Sequence, residues 1–151
     1  MKGKRSSFED ADCPIARALG VIGDWWSLLI VREAFAGKVR FGEFQKSLGL
    51  ARNILSTRLK KLVDQGILRI EPEGAGKFHR YVLTPKGEGL GVVLVALWQW
   101  GETACFDPGE LRHAIVDRAQ GEPLARLELA AQDGRALGVR DYRRIATDAP
   151  P

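Results

Sequence analysis

Between Phe41 and Gln65, two stretches of apolar residues at helical spacing are separated by a single glycine. Phe41, Phe44 and Leu48 recur at intervals of three and four, which predicts a short helix over 41–48. Gly49 ends it and Leu50-Ala51 make a tight connection. Leu55, Leu59 and Leu62, with Val63 beside them, then predict a longer helix from about Arg52 to Gln65, stopped at Gly66. A short helix, a glycine-containing turn and a longer helix give the outline of a helix-turn-helix.

The longer helix has two unlike faces. Its leucines stack on one side, and Asn53, Ser56, Thr57, Lys60, Lys61 and Asp64 lie opposite. Asn can bond adenine in bidentate fashion, Ser and Thr reach bases or phosphates, and Lys neutralises phosphate. Arg52 stands at the N-terminus, where such helices usually touch base edges. Arg58 sits at the rim of the buried face, open to a phosphate contact or to a structural ion pair. An ordinary solvated amphipathic face would look similar. Only one acid on this face, and a basic hairpin downstream, favour nucleic acid.

That hairpin begins with Ile67-Leu-Arg-Ile70, a predicted strand broken by Pro72 and Gly74-Ala75-Gly76. Arg80-Tyr-Val-Leu83 is the returning strand, and Lys77, His79 and Arg80 give the tip a basic character. The charge distribution agrees. From Lys38 to Arg80 there are ten Lys/Arg against four acids, a net +6, whereas the remainder carries thirteen against fifteen, a net −2. A basic segment on a slightly acidic body suits a polyanionic partner. A solvated basic surface is the other reading of that charge.

On the N-terminal side, Asp12 is expected to cap a helix with Pro14 in its first turn, running through Ile15, Leu19 and Ile22 to Gly23. Asp24 is expected to cap the next helix, which buries Trp25, Leu28, Leu29 and Val31–Ala34 and stops at Gly37. On the C-terminal side, Thr84 and Pro85 open a predicted helix to about Ala104. It is apolar at 90, 93, 94, 97, 98 and 101, and also at 92, 95, 96 and 100. A helix apolar all round must be covered on several sides. A domain of this size covers one, so a second copy is expected on Leu90, Val93, Leu94, Leu97, Trp98 and Gly101.

Residues 106–151 differ in character. Leu124 begins an alternating pattern, with Ala125, Leu127, Leu129 and Ala131 on one side, and Asp133-Gly134 is a strong hairpin signal. The organisation expected is thus a flexible tail over 1–10, a winged helix-turn-helix for DNA binding and dimerisation over 11–105, and a small β-extension over 106–151. The end, from Thr147 to Pro151, is expected to fray. The fold class is mainly α with a small β wing and a C-terminal β-hairpin extension.

Composition removes several alternatives. The longest apolar stretch, Leu90–Trp100, is about half a membrane span, and no apolar run follows the basic start, so a cytoplasmic location without membrane contact is expected. Cys13, Cys105, His79 and His113 show no zinc spacing. There is no Ser/His/Asp set and no phosphate-cradling glycine motif, so neither an enzyme nor a cofactor is expected.

The motifs that carry a likeness to known proteins run in order. They are Cys13-Pro14; Gly23-Asp24-Trp25-Trp26-Ser27-Leu28-Leu29-Ile30; Arg40-Phe41-Gly42-Glu43-Phe44; and Leu55-Ser-Thr-Arg-Leu59-Lys-Lys-Leu62 with Gly66. Tyr81-Val-Leu-Thr84 with Gly87, and Trp100-Gly101, complete the series. Over roughly residues 11–105 this series resembles the HxlR family of winged helix-turn-helix regulators, relatives of the MarR type. The resemblance implies a dimer formed by the N-terminal and long C-terminal helices. It implies a recognition helix at 52–65 in the major groove and a wing at 71–80 on the backbone or minor groove. In some members the cysteine of the Cys-Pro pair senses oxidants or electrophiles, and Cys13 occupies that place; a buried structural cysteine is the alternative. The position before Trp25 is often basic in the family, and here it is Asp24. Some relatives add a Cys-rich tail segment; this tail keeps Leu111-Arg-His113 without those cysteines, so no metal is expected there.

The expected function is that of a sequence-specific DNA-binding transcriptional regulator, a repressor, acting as a homodimer on a palindromic operator in double-stranded DNA. Arg52, Asn53, Ser56, Thr57, Arg58, Lys60 and Lys61 would read or hold the duplex, with Lys77, His79 and Arg80 on the wing. A small-molecule or electrophile effector is a further expected partner. The alternative is a winged-helix ligand- or protein-binding module without DNA readout, with Trp25, Trp26, Trp98 and Trp100 lining a pocket or simply packing the core.

Overall fold

A computed structural model of the chain describes residues 8–146. The expected flexible tail falls largely on residues 1–7 and the frayed end on 147–151, both outside the described residues. The chain divides after Val95 into two units.

In the first unit, α1 (Pro14–Ile22) starts from Cys13 as its N-cap, without a capping hydrogen bond from the side chain. Asp12 therefore does not cap. Pro14 takes the first helical position, where its missing N–H is no loss, and that places Asp12 one residue too early. Asp24 does cap α2 (Trp25–Phe35) by accepting the Ser27 N–H. The buried side of α2 matches the expected one at Val31, Glu33 and Ala34 and differs at Trp25 and Arg32, which are exposed. Ser27, Ile30, Val31 and Glu33 are buried, whereas Trp25 is 76% exposed. The stripe that faces inward is 27, 30, 31 and 34, and Trp25 at the first turn falls outside it.

The helix-turn-helix matches its expected bounds closely, as α3 (Phe41–Leu48) and α4 (Arg52–Asp64). The Glu43 carboxylate accepts the backbone N–H groups of Val39 and Arg40 at 2.8 and 2.9 Å, fixing the start of α3. Gly49 ends it with φ 64°, a left-handed conformation that glycine adopts without steric cost. Leu55, Leu59 and Leu62 enter a core with Ile30, Val31, Phe44, Leu50, Ile67 and Leu68. Burying each such side chain is worth about 1.5–3 kcal/mol before entropy is counted.

Strands β1 (Leu68–Glu73) and β2 (Phe78–Leu83) form the antiparallel wing, in register from Leu68 opposite Leu83 to Glu73 opposite Phe78. Both strands run further toward the tip than expected. Pro72 does not break β1 but lies within it, opposite His79. A two-stranded ribbon has an outer edge on which proline is tolerated. The Tyr81 N–H donates to the Val39 carbonyl at 2.7 Å, tying the hairpin to the segment before α3.

The single helix expected after Thr84 is two: α5 (Pro85–Glu88) and α6 (Leu90–Ala104), separated at Gly89. Thr84 caps α5 as expected, accepting the Gly87 N–H. Two glycines within three residues weaken helical propensity there by about 1 kcal/mol each. Leu90 and Leu94 pack against the core.

In the second unit, β3 (Leu129–Ala130) pairs with β4 (Ala136–Leu137) around Asp133-Gly134, the expected turn. The strand is far shorter than the alternation from Leu124 suggests. Residues 121–130 are all exposed. Two of their backbone groups are instead met by Gln99, whose amide donates to the Ala125 carbonyl and accepts the Leu127 N–H.

Candidate nucleic-acid interface

Because Leu55, Leu59 and Leu62 are locked into the core, the opposite side of α4 is held outward. Asn53, Ser56, Thr57 and Lys60 are exposed there. Asn53 Oδ1 accepts the Ile54 N–H at 3.0 Å, and the Thr57 hydroxyl donates to the Asn53 carbonyl at 2.9 Å. Lys60 pairs with Asp64 at 2.6 Å. Both partners are well exposed, so the pair contributes at most about 0.5 kcal/mol and is readily exchanged for another anion.

Arg52, Ser56, Lys77 and His79 line a cleft of about 840 Å³ between the helix-turn-helix and the wing. Arg40, Phe41, Gly42, Glu43, Lys46, Phe78 and Tyr81 complete it, Glu43 being its one acid. The Arg52 guanidinium lies over the Phe41 ring, 5.2 Å from its centroid, so α3 orients the first cation of α4. Arg40, at the start of α3, bonds Glu73 of β1 through Nε at 2.8 Å. That pair couples wing to helix. It raises the Arg40 pKa, the hydrogen bond to Glu73 being the main cause. The Arg40 guanidinium in turn holds the Glu73 carboxyl below its ordinary range. Reasoning from sequence missed Arg40, Lys46 and Phe78. The opposite charges at 40 and 73 were legible, but their proximity depends on the register of the hairpin.

Other expected contacts are arranged differently. Lys77 lies in the turn, while His79 and Arg80 belong to β2. Arg80 pairs with Glu71 at 3.0 Å, and Arg69 pairs with the same carboxylate at 2.7 Å. Arg58 and Lys61 lean away from the outward face toward Asp24, with N···O distances of 3.5 and 3.3 Å. Arg58 thus takes the structural ion pair. Burial pushes the Asp24 carboxyl upward, but hydrogen bonds from the Ser27 hydroxyl and N–H, with Lys61 and Arg58, outweigh it and leave the pKa lowered.

Of the residues expected between two copies, Leu90 and Leu94 rest on the core, Val93 and Leu97 are exposed, and Trp98 and Gly101 are half-buried. Trp98 donates to Glu102 at 3.0 Å and lines a recess of only about 80 Å³. Trp25 and Trp26 meet edge to face at 6.0 Å. Cys13 is half-buried at the start of α1. Among the described residues, no group of three or more His, Cys, Asp or Glu is placed to hold a metal ion. No single helix among them is long and apolar enough to cross a membrane.

The comparisons with known proteins agree with this geometry. The family model for the HxlR-like helix-turn-helix matches residues 21–107. An HTH-type transcriptional regulator of Mycobacterium tuberculosis, itself uncharacterized, is 43% identical over 89 residues, 58% of this chain and 56% of the relative. This chain therefore matches about half the length of that relative. Among solved structures, PA1607, a proposed transcription factor, is 49% identical with a TM-score of 0.90, covering 94% of this chain and all of that one. The reduced form of the transcriptional regulator YodB from B. subtilis is 28% identical with a TM-score of 0.55, covering 64% of this chain and 97% of its own. With its winged helix-turn-helix in place and the family match spanning more than half its length, the chain belongs to the HxlR-like helix-turn-helix family.

Proposed function

We propose that the protein is a sequence-specific DNA-binding transcriptional repressor that acts as a homodimer on a palindromic operator. One observation carries this reading: α4 presents Asn53, Ser56, Thr57 and Lys60 to solvent beside a cation-lined cleft, while its other side is fixed in the core. The exposed residues would enter the major groove, and Arg52, Lys46 and Lys77 would flank one strand of the backbone. The relatives' names as regulators support the assignment.

A second copy is supported by apolar side chains left in solvent. Ile15 and Leu19 of α1, and Val92, Val93, Leu97 and Trp100 of α6, are all exposed. Two copies would place two α4 helices on half-sites about one helical turn apart. For regulation, we propose an oxidant or electrophile acting at Cys13. YodB is a regulator solved in its reduced form, which supports this effector class.

Selection of bound DNA from a random pool, with the bound species sized, tests the reading. A palindrome held by two copies is expected. Equal retention of all sequences, or a single copy on an asymmetric site, would overturn it.

A further inference from the structure

Asp24 brings together four donors. Its carboxylate accepts the Ser27 N–H at 2.9 Å and the Ser27 hydroxyl at 2.6 Å. Lys61 Nζ lies 3.3 Å from one oxygen and Arg58 Nε 3.5 Å from the other. Two N-terminal donors of α2 and two cations of α4 thus converge on one point, which the chain fills with its own carboxylate. Ser27 is wholly buried, so the carboxylate is held in place from below.

The two cations do not start from the inward face of α4. Lys61 follows the exposed Thr57 by four residues, about 40° round the helix, so its stem leaves from the edge of the outward face. Arg58 is related in the same way to the exposed Ile54. Their charged ends are drawn back across the helix to Asp24. Each is about two-thirds covered as a result. Lys60, one position away, stays in solvent with only an exposed partner.

Resting on the DNA-binding reading above, we infer that Asp24 sets the charge-dependence of DNA binding: it withholds Arg58 and Lys61 from phosphate, so that charge carries a smaller share of the affinity and Asn53, Ser56 and Thr57 a larger one. It acts by position rather than by touching DNA. A phosphate contact is indifferent to sequence, and each one made on duplex DNA adds about 0.9 to the slope of log affinity against log salt. Holding two cations back therefore lowers affinity for every duplex alike and leaves base contacts a larger share of what remains.

The test uses Asp24→Asn. Asn caps a helix as well as Asp, so the cap remains while the charge is lost. Affinity for an unrelated duplex and for the selected site is measured across a salt series. The variant is expected to bind unrelated duplex several-fold tighter, with a salt slope steeper by about 1–2. Lys61→Ala in the native background is expected to leave the slope unchanged, and added to Asp24→Asn it removes about 0.9 of the gain. A merely structural Asp24 would lower the thermal midpoint without moving the slope, and that result overturns the inference. So does a native-background Lys61→Ala that loses about 0.9. Should Asp24→Asn not fold, the Lys61→Ala slope decides alone. A native protein that binds no duplex overturns both readings, whereas native binding with either contrary slope overturns only this one.

Discussion

The bare α-carbon of Gly87 stands against the carbonyl of Ile67, where a Cβ would lie 2.2 Å from the oxygen and 3.1 Å from Leu83 Cδ2. The same carbonyl accepts the Thr84 N–H at 3.1 Å, and the Thr84 hydroxyl bonds the Gly66 carbonyl. The base of the wing and the start of α5 are thereby joined through backbone. Ala would gain up to about 1 kcal/mol in helix propensity, but the overlap is with backbone that cannot swing aside. Gly87→Ala is therefore expected to cost a net of about 1–3 kcal/mol, read as a lower denaturant midpoint. A midpoint at or above that of the native protein would contradict the packing.

Glu33 joins α2 to α3 by accepting the Ser47 hydroxyl, and it pairs with Arg32 at 2.7 Å. Burial pushes its carboxyl upward, but Ser47, Arg32 and Lys38 outweigh this and leave the pKa below the ordinary 4.5. The carboxylate thus stabilises the fold above that pH, and the contribution fades as acid protonates it. Glu33→Gln is expected to cost about 1–2 kcal/mol at neutral pH. The gap from the native protein should close as the pH falls through and below 4.5. A gap independent of pH would show that shape, not charge, matters at this position.

Asn53 and Lys60 should behave differently as alanine variants. Asn53→Ala is expected to lose about 1–3 kcal/mol at one base pair of the selected site and little on other DNA. Lys60→Ala should weaken all duplexes alike and reduce the salt slope by about 1. Competition assays on single-base variants distinguish the two. Uniform weakening by Asn53→Ala would remove its base-reading role.

Arg40 is exposed and Glu73 half-buried at the surface, so Arg40→Ala is expected to leave the thermal midpoint nearly unchanged. Its effect should appear as faster amide hydrogen exchange at residues 73–78, since the side-chain tie from α3 to the wing tip is gone. Unchanged exchange would mean that Tyr81 and Val39 alone hold the wing.

If Cys13 is the effector site, oxidant treatment should weaken operator binding by the native protein and spare Cys13→Ser. Equal loss in both would move the effect elsewhere.

How much of this was legible follows from the kind of interaction involved. The spacing of Phe41, Phe44, Leu48, Leu55, Leu59 and Leu62 predicts α3 and α4 because one stripe on each helix meets one core. The same logic placed only part of the inner face of α2: Val31 and Glu33 lie inside as expected, but Ser27 was missed. Ser27 is buried because Asp24 satisfies it, and apolar periodicity carries no trace of such a partner. On α4, a helical wheel locates the stem of Lys61 but not its ammonium, which reaches a residue 37 positions earlier. The wing was underestimated because Pro72 and Gly74 read as breakers, although an edge strand accommodates the first and a turn requires the second. In the second unit, alternation from Leu124 resembles a strand, yet the Ala125 carbonyl and Leu127 N–H are met by the Gln99 side chain rather than by a neighbouring strand.

The proline inside β1 has one more effect. β2 is engaged on its far side by Val39, so the hairpin's open flank belongs to β1. That flank carries Arg69, Glu71, Pro72 and Glu73, a sequence poorly suited to accept a foreign strand. A ribbon left protruding toward a ligand would otherwise invite edge-to-edge growth into aggregates. Here the missing amide and the charged side chains at 69, 71 and 73 disfavour neighbouring molecules zipping onto it.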